Sequence, residues 1–228
     1  MNMSMIQPVA TDNDRQKETL SYPAVAVFFS KFFSWIFHPL FIPLYVTWYL
    51  VFVNQEYFVG LSPEGRKWIL LRVTLNMIFF PAFTVLLLRG VGFIESIFLK
   101  TQRDRIIPYI AAGVFFFWMY LVFRNQAEIP LILTSFTFGV FLASSVALIA
   151  NIYFKISMHA IGCGGMIGLM LITAHNNSSA TLPFIVVFLI AGIVCTSRMI
   201  VSDHNQRDIY LGLLCGALTQ FISAIVIA

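Results

Sequence analysis

Three short stretches hold most of the side chains that could do chemistry. Lys100, Arg103 and Arg105 fall in KTQRDR, and Lys155, Ser157 and His159 in KISMH. Arg198, His204, Arg207 and Asp208 fall in SRMIVSDHNQRD. Cations with a hydroxyl suit an anion, because guanidinium and ammonium groups hold phosphoryl oxygens and neutralise charge that develops on them. Two imidazoles can divide the remaining work. One attacks phosphorus, and the other protonates the leaving oxygen and then activates water. Asp208 stands four residues after His204, about one helical turn, where a carboxylate can fix the tautomer of the attacking ring.

The elements that must carry these groups are set by composition. Of 228 residues, 59% are hydrophobic and 11% charged, and the mean hydropathy is +0.86. Soluble domains carry about 25% charged residues. A water-facing globule is excluded, and so is disorder, which needs low hydrophobicity. The net charge of +4 is scattered over short loops without a basic block, so no nucleic-acid partner is expected. Cys163, Cys195 and Cys215 all lie in apolar runs and read as small buried hydrophobes. No metal or other cofactor is expected. Residues 1–20 form a polar tail without a signal-peptide core. Residues 21–228 form one membrane domain.

Apolar runs of spanning length must be helical, since lipid offers backbone groups no partners. The fold class is therefore all-α, a polytopic transmembrane bundle of six to seven spans. The stretch from Tyr22 to Val53 is interrupted by Lys31, His38, Pro39 and Pro43. It reads either as an interfacial helix followed by a span or as two short spans with a re-entrant turn. Later spans are expected near 68–88, 107–123, 130–153, 160–174, 181–196 and 209–227, with a kink at Pro81. Two spans separate each polar station from the next, so all three lie on one membrane face. His38 reads as a cap or interfacial residue and His175 as a solvated loop residue. The glycines of Gly162-x-Gly164-Gly165-x-x-Gly168 and Gly212-x3-Gly216 read as close helix contacts, not a dinucleotide fingerprint.

Ser197-Arg198-x5-His204-x3-Asp208 resembles the third signature of the type 2 phosphatidic acid phosphatase (PAP2) superfamily, SR-x5-H-x3-D, at all four positions. Ser157-Met158-His159 resembles the second signature, PSGH, with Ile156 and Met158 in place of its Pro and Gly. KTQRDRIIP, Lys100 to Pro108, resembles the first, K-x6-RP, with four residues between Lys100 and Arg105. The resemblance covers roughly residues 95–215 and keeps the family order. It implies a PAP2-like core and a metal-independent membrane phosphatase acting on a lipid phosphate or pyrophosphate. Substrates of that class include phosphatidic acid, phosphatidylglycerophosphate, isoprenyl pyrophosphate and lipid A. It further implies that His204 is the nucleophile forming a phosphohistidine, Asp208 its orienting partner and His159 the general acid. Arg198, Ser157, Lys100 and Arg105 would bind phosphate, with Arg103 or Lys155 filling a vacated place. The partners are membrane lipids and an amphiphilic phosphorylated substrate. The setting is a bacterial inner membrane with the site on the periplasmic face, although the positive-inside rule counts the motif face as cytoplasmic. A catalytically weak or inactive relative that binds phosphorylated lipid in transport or scaffolding is the alternative. A transporter or channel has less in its favour, because no pair of broken helices or mid-span charges stands out.

Overall fold

The computed structural model describes residues 22–97, 102–175, 181–202 and 204–228, apart from the side chains of residues 102, 103 and 175. Residues 1–20 and Lys100 therefore lie outside the described residues. The described residues are helical, with no strand among them.

Among the described residues eight helices of ten or more residues follow in order: α1 (Ala24–Ile36), α2 (Ile42–Val53), α3 (Pro63–Gly90), α4 (Gln102–Arg124), α5 (Leu131–Tyr153), α6 (Met158–His175), α7 (Thr181–Val201) and α8 (Gln206–Ile227). Five of them, α3, α4, α5, α7 and α8, are long and apolar enough to cross a membrane. The shorter α1, α2 and α6 are also apolar. In sequence around the bundle, α1 packs on α7, α7 on α6, α6 on α8, α8 on α5, α5 on α4 and α4 on α3. Lodged against α3, α5 and α6 is α2.

The Tyr22–Val53 stretch breaks into two short helices. Pro39 disfavours helical backbone at His38, and Pro43 opens the first turn of α2, where its missing N–H costs nothing. The turn is held by the Tyr45 hydroxyl, which donates to the Ile36 carbonyl at 2.9 Å. Pro81 lies inside α3. The helix runs on through it, because residues Thr74–Phe79 widen into π-helical turns just before it. The wider turn removes the need for the N–H that Pro81 lacks.

The bundle is apolar outside and partly polar inside. α1 buries Ser30 and Ser34 while exposing Phe28, Phe32 and Trp35. α8 buries Thr219, Gln220 and Ser223 and exposes Leu214, Leu218 and Ile225. In lipid there is no gain in hiding Phe or Leu, so packing and interhelical hydrogen bonds choose the interior. Glycine does most of that work between α6 and α8. A Cβ on Gly164 would land on the Leu213 carbonyl, and one on Gly216 on the Ile161 carbonyl. A Cβ on Gly212 would lie 2.8 Å from the Ala160 Cβ. The glycine expectation of close helix approach thus holds at these positions. Between α5 and α8, the Ser223 hydroxyl donates to the Ser135 carbonyl.

Candidate phosphate site

The described parts of the three polar stations meet at one end of the bundle. The Ser157 amide, at the start of α6, donates to the Asp208 carbonyl in the first turn of α8 at 3.3 Å. His159 lies two residues beyond Ser157 and interacts electrostatically with Arg198, His38 and His204. Arg198 is on the last turn of α7, which runs past the expected end of the span near 196 as far as Val201. The Arg105 charge at the start of α4 reaches Arg198, and the Lys155 charge reaches His204.

The residues around His204 form a helix cap. Asn205 is the N-cap of α8 and its Oδ1 accepts the Asp208 amide at 3.1 Å. The Asp208 carboxylate accepts the Asn205 amide at 3.3 Å, completing a capping box. The same Oδ2 lies 3.3 Å from Nδ1 of His204. The expected contact is therefore present, but it runs across the cap and not along a helical turn: His204 precedes α8. A carboxylate only accepts, so the neutral ring carries its proton on Nδ1 and leaves a lone pair on Nε2. Burial lowers the His204 pKa most; the Asp208 hydrogen bond raises it, and Arg198 and Lys155 lower it, for a net downward shift.

His159 is fixed from another direction. Its Nε2 lies 3.0 Å from the Ser34 carbonyl near the end of α1, so Nε2 carries the proton and Nδ1 is the nitrogen left for chemistry. The Ser157 side chain is fully buried and its Oγ accepts the Ala160 amide at 3.4 Å. It caps α6, and only its hydroxyl proton remains to meet a phosphate.

His38, read from sequence as a cap, does cap: its Nδ1 accepts the Leu40 amide at 3.3 Å. It also enters the site. Its ring centroid is 5.4 Å from that of His159, edge to face. Burial and then the Arg198 charge push its pKa below the usual imidazole range. The HPLFIP turn held the only signal for this third imidazole, and that signal reads first as turn chemistry.

Among the described site residues, two buried polar atoms lack a hydrogen-bond partner: Arg198 Nε and Ser34 Oγ. Buried donors are normally paired, so both stand ready for a polar guest. Lys100 and the side chain of Arg103 lie outside the described residues. Arg207 is exposed. Among the described residues no group of three His, Cys, Asp or Glu side chains could hold a metal ion. Comparisons with family models, curated proteins and solved structures find no match.

Proposed function

We propose that the protein is an integral membrane phosphatase that removes phosphate from a lipid phosphate or pyrophosphate through a phosphohistidine on His204. The observation that carries the reading is the pair His204–Asp208, oriented to leave Nε2 unprotonated, beside the partnerless Nε of Arg198. The SR-x5-H-x3-D spacing supports it independently.

In the first step the His204 Nε2 lone pair attacks phosphorus. The bond from phosphorus to the lipid oxygen breaks, and that oxygen takes, through Nδ1 of His159, the proton that a monoprotonated phosphate brings into the site. The transfer uses Nδ1, because Nε2–H is engaged with Ser34. Asp208 stabilises the charge left on the His204 ring. In the second step His159 accepts a proton from water, the water oxygen attacks phosphorus, the N–P bond breaks, and His159 passes its proton to the departing phosphate, leaving both rings neutral. Arg198 and Arg105 hold the phosphate oxygens throughout, with Lys100, Arg103 and Lys155 as further candidates. We place the site on the periplasmic face of a bacterial inner membrane, with α6 as a sixth crossing and α1–α2 as a broken pair that turns back at His38.

Purified protein in detergent with chelator should release phosphate from at least one of phosphatidic acid, phosphatidylglycerophosphate, isoprenyl pyrophosphate or lipid A. His204→Ala should remove that activity. Full activity in His204→Ala would sink the mechanism. Substitution of Ile156 and Met158 for the family's Pro and Gly favours a second reading, phosphorylated-lipid binding without turnover. Saturable binding with no release identifies it.

A further inference from the structure

A groove of about 480 Å³ lies between α4 and α5 on the outer surface of the bundle. Its lining is almost wholly apolar, with Tyr109, Gly113, Phe117, Trp118, Phe141 and Leu148 along it. The Phe117 and Phe141 rings, 4.9 Å apart, bridge the two helices. From Tyr109 to Leu121 the groove follows α4 for about 18 Å at about 1.5 Å per residue. That is about one leaflet of a hydrocarbon core roughly 30 Å thick. Its upper end is not neutral. Tyr109 is one helical turn below Arg105 and interacts with its charge, and Arg105 in turn reaches Arg198. A chain lying in this groove therefore leads to the cations of the phosphate site.

We propose that the α4–α5 groove is the subsite for the hydrocarbon chain of a single-chain phosphorylated amphiphile whose phosphate sits at Arg105 and Arg198. This rests on the phosphate-site reading and adds to it where the tail goes. Ordinary bilayer lipid would also fill an apolar groove. The continuity with Arg105 distinguishes the two, because only a lipid with a phosphate head is held at both ends. Gly113 makes the groove testable. A Cβ there would meet only the Ser144 Oγ, at an ordinary contact distance of 3.6 Å, so a side chain can be started at this position of the groove lining.

The test uses the full chain in detergent micelles, with Trp35, Trp48 and Trp68 changed to Phe so that Trp118 is the remaining tryptophan. Two probes share one bromine-labelled chain: a monoacyl lipid phosphate and its uncharged monoacyl counterpart. Bromine near Trp118 quenches its fluorescence. A charge-assisted contact at the head contributes about 1.5–3 kcal/mol, so the phosphate probe should reach half-quenching at about tenfold lower mole fraction or less. Gly113→Leu, or Val114→Phe as a second filling variant, should weaken quenching, and Arg105→Gln should equalise the probes. Equal quenching by both probes, or quenching indifferent to both filling variants, overturns the proposal. Preferential quenching without phosphate release supports the groove while counting against the phosphatase reading, so the two fail separately.

Discussion

At the scale of single residues, each imidazole of the site has one nitrogen assigned by a neighbour and one left over. His204 gives Nδ1 to Asp208, His159 gives Nε2 to Ser34, and His38 gives Nδ1 to Leu40. The leftover nitrogens define separate roles that mutation can distinguish. Loss of a general acid costs about 10²–10⁴ in rate. His159→Ala should therefore lower kcat by that order. His38→Ala should cost less, since the His38 ring contacts the His159 ring and not the Asp208 pair. Steady-state kinetics on the preferred substrate checks both. If His38→Ala proves the more damaging, His38 is the acid and His159 positions it.

The same residues predict a pH dependence of stability. His38 and His204 have folded-state pKa values below the ordinary imidazole value. A base whose pKa is depressed on folding binds its proton more readily when unfolded. Its contribution is thus fully present above about pH 6.5, the unfolded value, and is lost as pH falls towards the folded value. Melting temperature in detergent should fall as pH drops from about 7.5 to 5. His38→Gln should flatten that fall. A melting temperature equally sensitive to pH in wild type and His38→Gln would exclude His38 as a source.

At the scale of elements, the α6–α8 contact sets how closely the two motif-bearing helices approach. A side chain at Gly164 or Gly216 meets backbone, which cannot step aside as a flexible side chain would. Overpacking of this kind costs about 1–3 kcal/mol. Gly216→Val and Gly164→Val should each lower the melting temperature and release the Ser157–Asp208 contact. Gly192→Ala on α7 is the control: nothing lies within 4 Å of a Cβ there. It should be neutral or stabilising, by up to about 1 kcal/mol of helix propensity. A comparable loss in all three would mean the glycines have no packing role.

Helices α4 to α8 were legible in the sequence to within a few residues, because long apolar runs in lipid leave one backbone solution. The expected span near 130–153 is found at Leu131–Tyr153. The ends were less legible where polar residues continue a helix. The polar stretch from Ser197 sets the expected end of the span near 196, yet α7 runs past Arg198 to Val201. The π turns just before Pro81 leave no obvious mark in sequence. His204 with Asp208 was readable from spacing, but the capping box that holds them depends on Asn205, whose role the spacing argument passed over. His38 was missed for another reason: which residues a turn points at is set by α1 docking on α7, and that contact is distant in the chain.

At the scale of the molecule, the described residues of the three motif stretches and the α1–α2 turn share one end, while the α4–α5 turn near Arg124 occupies the other. There Arg72 of α3 donates to the Gln126 Oε1 at 2.6 Å. Cysteines placed at the exposed Arg207 and at Glu128 should react with a membrane-impermeant reagent from opposite sides, Arg207 from outside. Labelling of both from one side would contradict the bundle topology. Labelling of Arg207 from inside would leave the bundle intact and move the chemistry to the cytoplasmic face. The central claim is narrower, that His204 itself takes the phosphoryl group. Rapid quench of the protein with a radiolabelled lipid phosphate, followed by mapping of the label, tests it most directly. The account predicts an acid-labile, base-stable phosphoryl group on residue 204 that is absent from His204→Ala. Phosphate release with no label on that residue, or with an undiminished label in His204→Ala, would contradict it.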